Sequence, residues 1–143
     1  MLKGVNPLLS PELLYVLAAM GHGDELAIVD SNFPAASIGR KIVRLDGANV
    51  IDACTAIVGF LPLDTFVEYP IYRMQIVGDP EAVPTVQVEF LNVCETLEGR
   101  SLSVSSLSRQ EFYDRAKLAF AVVATSEQRP YGCFLLVKGV INV

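Results

Sequence analysis

The chain has 143 residues, 52% of them hydrophobic and 19% charged, with a net charge of −5. This length predicts one domain spanning residues 1–143, and the composition excludes a disordered chain. The acidic balance and the absence of a basic stripe argue against a nucleic-acid partner. No apolar run is long enough to cross a bilayer, so we expect no membrane partner and a cytoplasmic location. The mean hydropathy of +0.42 is typical of a chain with apolar surface buried between subunits, and equally of a monomer with a well-covered sheet.

The first half of the chain predicts a helix followed by alternating strands and helices. Ser10 can cap the first helix, Pro11 suits its first position, and Gly21 predicts a left-handed stop. The apolar run over 25–30 predicts a strand that is buried on both faces. Further elements are expected as a strand over 41–46, a helix over about 48–60 and a strand over 69–77.

The second half of the chain predicts two more helices and three more strands. Pro84 can start a helix, and Ser108 with Glu111 fits a capping box that opens another helix ending near Leu118. Strands are expected over 101–107, 119–126 and 133–140, the last two forming a pair joined by a turn. This order predicts a three-layer α/β/α domain with a mixed, mostly parallel sheet.

Cysteine and histidine spacing predicts no metal site. The three cysteines, Cys54, Cys94 and Cys133, lie about forty residues apart, and His22 is the only histidine. No C-x-x-C pair occurs, and one histidine cannot complete a zinc finger. We therefore expect reduced, mostly buried thiols at Cys54 and Cys94.

His22 and Asp30 lie on either side of the predicted strand over 25–30. Ligands collect beyond the carboxyl ends of strands in open α/β sheets, and Asp30 lies at such an end, before a loop that contains Pro34. An extended strand rises about 3.3 Å per residue, so the two side chains share a pocket only if the Gly21–Gly23 turn folds back or if they meet across a subunit boundary. Alternatively, His22 bonds the last carbonyls of the first helix and Asp30 simply forms a turn.

Two further residues are candidates for ligand binding. Arg109 is poorly placed for the dipole of its helix, which favours a role in holding an oxygen-rich ligand. Tyr131 lies on a loop between two strands, where it either contacts a ligand or caps the edge of the core. No G-x-S-x-G, Walker or H-E-x-x-H signature is present. The residues alone leave one candidate acid/base, one carboxylate, one guanidinium and one phenol.

Two long segments resemble one known family. Residues 8–35, LLSPELLYVLAAMGHGDELAIVDSNFPA, resemble the N-terminal signature of the L-fucose mutarotase and D-ribose pyranase family. Residues 109–132, RQEFYDRAKLAFAVVATSEQRPYG, resemble the C-terminal half of that family. The GHGDE form and the segment LPLDTFVE over 61–68 are similar to the fucose-type members. The likeness covers nearly the whole chain and is weakest over 78–105.

The resemblance implies an isomerase that interconverts the α and β anomers of L-fucose or a related monosaccharide, without a metal or an organic cofactor. Ring opening needs a proton delivered to the ring oxygen and one removed from the anomeric hydroxyl, and the unperturbed pKa of imidazole suits that traffic. The family pattern implies that His22 is the acid and Tyr113 a second proton carrier. The implied substrate-binding residues are Asp30, Asp64, Met74, Arg109, Tyr131, Gly132 and Cys133.

Cys133 departs from the family pattern, which usually has Asn after the Tyr-Gly pair. A thiol is a weak donor and acceptor, and losing a hydrogen bond to a buried hydroxyl costs about 1–3 kcal/mol, so the preferred sugar stays open. The family also assembles into rings, and we therefore expect a homo-oligomer, a ring-based decamer with sites between subunits. The alternatives are a non-catalytic sugar-binding protein of the same fold and a purely structural oligomer component.

Overall fold

Six strands form one mixed sheet in the computed structural model, which describes residues 1–143. The strand order is β2-β5-β1-β6-β3-β4, and β6 runs antiparallel to both of its neighbours while the other pairs are parallel. The predicted α/β class with a mostly parallel mixed sheet is therefore confirmed. The elements in chain order are α1 (Pro11–Ala19), β1 (Glu25–Val29), α2 (Ala35–Ile38), β2 (Ile42–Leu45), α3 (Val50–Val58), β3 (Ile71–Met74), α4 (Thr85–Glu98), β4 (Val104–Leu107), α5 (Arg109–Leu118), β5 (Ala121–Thr125) and β6 (Phe134–Val137).

Alternate side chains of the central strands enter two separate cores. In β1, Leu26 and Ile28 point into the larger core, which lies under α1, α3 and α4. Ala27 and Val29 point into the smaller core, which lies under α2 and α5. Both faces of β1 are buried because helices cover both sides of the sheet, which explains its continuous apolar run. The helices on two faces make the predicted three layers.

The last two strands do not pair with each other, so the expectation of a terminal strand pair is wrong. β1 lies between them, with Leu26 opposite Ala121 of β5 on one side and Leu136 of β6 on the other. The segment that joins β5 to β6 therefore crosses the carboxyl end of β1. This crossing brings residues 131–133 next to Asp30.

Two of the predicted helix starts are confirmed in detail. The Ser10 hydroxyl oxygen accepts a hydrogen bond from the Leu13 N–H at 3.2 Å and caps α1. At α5, the Ser108 hydroxyl accepts from the Glu111 N–H at 3.2 Å, and the Glu111 carboxylate accepts from the Ser108 N–H at 3.0 Å. Both bonds of the capping box are therefore present, as the sequence spacing predicts.

The end of α1 differs from the expectation. Gly21 is not the left-handed residue, since the positive φ of this turn lies at Gly23, with φ 86°. The Lys138 ammonium, from the end of β6, donates to the carbonyls of Leu17 at 2.9 Å and Met20 at 2.5 Å. These carbonyls need no left-handed glycine cap because a distant cation already satisfies them.

The remaining expectations concern short or buried features. The predicted loop after Asp30 contains the short helix α2, which starts directly after Pro34. Cys54 and Cys94 are buried and free, as expected, and Cys133 is buried and free as well. None of the helices combines the length and the apolar character that crossing a membrane requires.

Candidate functional site

His22 lies on the exposed turn between α1 and β1, next to Asp64. Its Nε2 atom is 2.9 Å from Asp64 Oδ1, and the edge of the Phe66 ring packs against it with 4.7 Å between centroids. The imidazole is 38% exposed, whereas the Asp64 side chain is 1% exposed. The ring is therefore held at one nitrogen, outside the hydrophobic core. Lys138, and not His22, bonds the last carbonyls of α1, so the alternative structural role of His22 is wrong.

The Asp64 carboxylate determines which imidazole nitrogen carries a proton. Burial opposes the ionisation of Asp64, but hydrogen bonds from His22 and from the backbone of Phe66 and Val67 outweigh it, and its pKa lies below the usual value. An ionised carboxylate can only accept hydrogen bonds, so the Nε2 atom of His22 must donate. In the neutral ring Nδ1 is then the unprotonated nitrogen, which can accept a hydrogen bond from a ligand.

The turn that carries His22 is held by Lys138, from a distant part of the chain, and by the neighbouring Asp24. Lys138 caps the end of α1 with its ammonium group, and its backbone carbonyl accepts a hydrogen bond from the Gly23 N–H at 2.8 Å. On the other side of His22, the Asp24 carboxylate accepts from the Gly21 N–H at 2.7 Å. Lys138 is separated from Met20 by 118 positions, and nothing local in the sequence marks this contact.

Asp30 lies at the carboxyl end of β1 and is 4% exposed. Its Oδ1 atom accepts from the N–H groups of Asn32 and Phe33 at 3.0 and 3.1 Å, and Oδ2 accepts from the Gly132 N–H at 3.1 Å. Burial raises the pKa of Asp30 despite these bonds and a bond from the Cys133 thiol. Asp30 forms the turn that one alternative proposed, and it also lines a cavity.

Most of the predicted binding residues line one small open cavity of about 180 Å³. Of the predicted set it brings together the side chains of six residues, namely Asp30, Met74, Arg109, Tyr113, Tyr131 and Cys133. Gly132 lies beneath it and contributes its N–H to Asp30. Asn32, Phe33 and Pro130 complete the lining, and sequence reasoning did not single them out.

The cavity is lined by both polar and apolar residues. Arg109 is exposed at the first turn of α5, with its guanidinium carbon 5.8 Å from the centroid of the Tyr113 ring. The Phe33 ring packs edge-on against Tyr113 at 5.2 Å, and the buried Met74 lies beside them. A carboxylate, a guanidinium and a phenol together with apolar groups suit a small ligand with several hydroxyls.

Tyr131 has a backbone conformation that is unusual for its residue type. Its φ is 64°, and it is the one residue other than glycine with a positive φ in the chain. A bulky residue in this region costs of order 1–3 kcal/mol, and such strain clusters at functional sites. Its phenol oxygen accepts from the Val77 N–H at 3.2 Å, while its ring packs on the smaller core. Tyr131 therefore both covers the core and lines the cavity.

His22 and Asp30 lie at opposite ends of β1 and do not form one site within the chain. The five residues of β1, which lie between them, alone span about 16 Å along the strand axis. The turn at Gly23 does not fold back toward Asp30, because its N–H is bonded to the end of β6. The chain thus presents two clusters: an imidazole cluster of His22, Asp64 and Phe66, and a carboxylate cluster around Asp30.

Other places that could hold a ligand are less convincing. A larger open groove of about 470 Å³ lies on the other side of Asp30, between α2 and the ends of β2 and β5. Its four hydroxyl groups all form hydrogen bonds within the chain. Those of Ser31, Ser37 and Thr125 donate to backbone carbonyls, and that of Ser126 accepts from the Gly47 N–H. No group of three or more His, Cys, Asp and Glu side chains is arranged to hold a metal ion.

The fold and the two clusters define a small α/β protein with a polar-ligand cavity at the carboxyl end of its central strand. The chain belongs to the RbsD / FucU transport protein family, whose sequence pattern matches residues 3–141. The resemblance to the L-fucose mutarotase and D-ribose pyranase family that the sequence indicates is thereby confirmed.

Individual relatives are similar over the full length of the chain. A protein of Actinobacillus pleuropneumoniae serotype 5b (strain L20) named L-fucose mutarotase is 44% identical over 143 residues, which cover 100% of this chain and 99% of that protein. An L-fucose mutarotase of Haemophilus influenzae (strain 86-028NP) is 41% identical with the same coverage. The crystal structure of the fucose mutarotase from Streptococcus pneumoniae in complex with L-fucose has a TM-score of 0.92 and 35% identity, covering 99% of this chain and 100% of that one.

Proposed function

We propose that this chain is a sugar mutarotase, which interconverts the α and β anomers of L-fucose or a related monosaccharide. Its full-length similarity to proteins named L-fucose mutarotase supports this activity. The observation that carries the proposal is the imidazole of His22, which is partly exposed and bonded at Nε2 to a buried, ionised Asp64. A partly exposed imidazole that is bonded to a carboxylate is an arrangement that can transfer protons to and from a ligand.

The reaction needs two proton transfers and one bond cleavage. A base takes the proton of the anomeric hydroxyl, the bond between the anomeric carbon and the ring oxygen breaks with its electrons going to that oxygen, and an acid protonates it. Rotation of the resulting aldehyde and reversal of these steps on its other face gives the other anomer. His22 exchanges protons through Nδ1 while Asp64 stabilises the charged imidazolium, and Tyr113 serves as the second proton carrier.

The carboxylate cluster binds and orients the sugar. Asp30 accepts hydrogen bonds from sugar hydroxyls, and Arg109 donates hydrogen bonds to them. Tyr131 and Cys133 line the cavity with Met74, and Gly132 holds Asp30 through its N–H. Asp64 approaches the sugar together with His22.

The complete site is formed between two copies of the chain. His22 and Asp30 are too far apart to act on one sugar within a single copy, so the imidazole cluster of one subunit must meet the carboxylate cluster of another. The surface beside His22 supports this arrangement, because Phe66 is 73% exposed and Val67 is 42% exposed. Exposed apolar side chains of this size are typical of subunit interfaces. We propose a cytoplasmic homo-oligomer, a ring-based decamer that needs no cofactor.

A second candidate is a sugar-binding protein of the same fold without turnover. The Cys133 thiol favours it, because it is buried, bonded to Asp30 and unable to offer a sugar hydroxyl the bonds that an amide offers. This alternative predicts sugar binding with no acceleration of anomer exchange.

Anomer exchange of L-fucose, measured by NMR saturation transfer between its two anomeric protons, tests the proposal. The wild-type protein should accelerate anomer exchange, and His22→Ala should lower the catalysed rate roughly 10²–10⁴-fold, which is the usual contribution of an acid/base group. Circular dichroism and sedimentation should show that the variant keeps its fold and assembly. An unchanged rate in His22→Ala contradicts the mechanism, and binding without exchange in the wild type supports the second candidate. A panel of related sugars identifies the preferred one.

A further inference from the structure

Gln87 is a polar residue in the core whose side chain links three parts of the structure. It lies in the first turn of α4 and is completely buried. Its amide nitrogen donates to the Met74 carbonyl at 2.7 Å and to the Tyr131 carbonyl at 3.0 Å, and its amide oxygen accepts from Arg73 Nη1 at 3.2 Å. A buried amide is costly unless it is fully bonded, and this one is.

Arg73 fixes the orientation of the Gln87 amide. A guanidinium can only donate, so the amide oxygen must point toward Arg73 and the NH₂ group toward the two carbonyls. Arg73 is itself held, because it also donates to the carbonyls of Pro80 and Ala82 at 3.2 Å each. The direction of the two N–H donors of Gln87 is therefore determined by the surrounding chain.

The peptide group between Tyr131 and Gly132 is held from both sides. Its carbonyl accepts from Gln87, and its N–H donates to Asp30 Oδ2 at 3.1 Å. The left-handed backbone of Tyr131 sets this orientation. If the peptide turned over, its carbonyl would point toward the Asp30 carboxylate and the N–H bond to that residue would be lost.

We infer that Gln87 is a positioning residue of the sugar-binding site, which fixes the peptide between Tyr131 and Gly132 and through it the Asp30 carboxylate. The inference rests on the proposed function for its effect on sugar binding, but not for its effect on the loop. Gln87 offsets part of the cost of the strained Tyr131 backbone, since one of its hydrogen bonds goes to the carbonyl of that residue and depends on the orientation of the peptide. No sugar contacts Gln87 directly, because it is completely buried under the cavity.

Two variants of Gln87 separate this role from simple packing. Gln87→Glu keeps the size and the bond to Arg73 but replaces both N–H donors with a carboxylate oxygen, and Gln87→Met keeps the shape without polar atoms. The matched control is Glu89→Gln, which weakens the bond between Glu89 and Arg129 at 2.7 Å, a second link between α4 and the same loop. If the Gln87 variants do not fold, Arg73→Lys releases the Gln87 amide while keeping the charge.

Kinetics and hydrogen exchange provide the two readouts. Both Gln87 variants should raise KM for the sugar roughly tenfold with little change in kcat. The reason is that they weaken the hydrogen bond from the Gly132 N–H to the Asp30 carboxylate, and the loss of one bond to a charged group changes an affinity by about this factor. Hydrogen exchange, followed by mass spectrometry without sugar, should become faster over residues 130–133 in these variants and stay at the wild-type rate in Glu89→Gln. The inference would be overturned if the Gln87 variants kept the wild-type KM and the wild-type hydrogen-exchange rate over residues 130–133. It would also be overturned if Glu89→Gln accelerated hydrogen exchange there as much as the Gln87 variants do. If the wild type has no mutarotase activity, the exchange readout still decides whether Gln87 holds the peptide.

Discussion

Replacing Asp64 with Asn tests how the proton of His22 is controlled. The substitution keeps the size of the side chain but removes its charge, 2.9 Å from Nε2 of the imidazole. A hydrogen bond to a charged group is worth about 1.5–3 kcal/mol, and about 1.4 kcal/mol corresponds to a factor of ten in rate. If the bond acts in the transition state, where the imidazole is charged, Asp64→Asn should slow catalysed anomer exchange about 10- to 150-fold.

The single histidine makes the physical cause observable. Nitrogen-15 NMR of the imidazole reports one set of ring signals, which belongs to His22. In the wild type the neutral ring should carry its proton on Nε2, because the Asp64 carboxylate can only accept. In Asp64→Asn the amide can donate to Nε2, and the proton should move to Nδ1.

A nearby carboxylate provides the control. Glu68→Gln removes an exposed charge from the same segment without touching the imidazole and should leave exchange and tautomer unchanged. Anomer exchange at the wild-type rate in Asp64→Asn, or a wild-type imidazole that carries its proton on Nδ1, would refute the reasoning.

Three further predictions concern the assembly, the sugar and the pH. Inactive His22→Ala and Arg109→Ala chains, unfolded and refolded together in equal amounts, should regain roughly one quarter of the wild-type rate of anomer exchange. Random pairing of subunits places an intact His22 opposite an intact Arg109 in that share of the inter-subunit sites. No recovery of the rate would contradict a shared site. Cys133→Asn adds an amide to the cavity and should change the ratio of exchange rates between sugars that differ at one hydroxyl by about five- to tenfold. Equal effects on all sugars would contradict a role in selectivity. Since the pKa of Asp64 is lowered in the folded chain, its stabilising effect is present above about pH 4 and is lost as the pH falls through its folded pKa. Denaturant titrations should therefore show that the stability of the wild type falls more steeply below this pH than that of Asp64→Asn, and parallel curves would contradict the shift.

Local features of the fold were predictable from the sequence because they depend on neighbouring residues. The capping box of Ser108 and Glu111 spans three positions and appears in the structure with both hydrogen bonds. The unbroken apolar run of β1 correctly predicted a strand with both faces covered, because side chains alternate between two cores. Similarly, the position of Asp30 at the carboxyl end of this strand predicted a ligand site there, and the structure places a cavity beside it.

The sequence of α4 carries a further signal, a polar residue on the apolar face of the helix. Gln87 lies three positions before Phe90 and seven before Cys94, on the face of α4 that enters the core. A polar residue on such a face needs partners, which makes it a candidate for a structural or positioning role. Its partners Tyr131 and Met74 could not be predicted from this spacing, because they come from other strands and loops.

Only the tertiary structure decided which distant residues meet. The pairing of His22 with Asp64 spans 42 positions, and the bond from Lys138 to Met20 spans 118. Both depend on β6 lying beside β1, a neighbour that the terminal strand-pair prediction missed. Periodicity and capping report interactions within a few residues, whereas strand order is set by how whole elements bury their faces against each other. For this reason the amino-acid sequence yielded the candidate site residues, and the fold alone showed that they lie in two clusters at opposite ends of one strand.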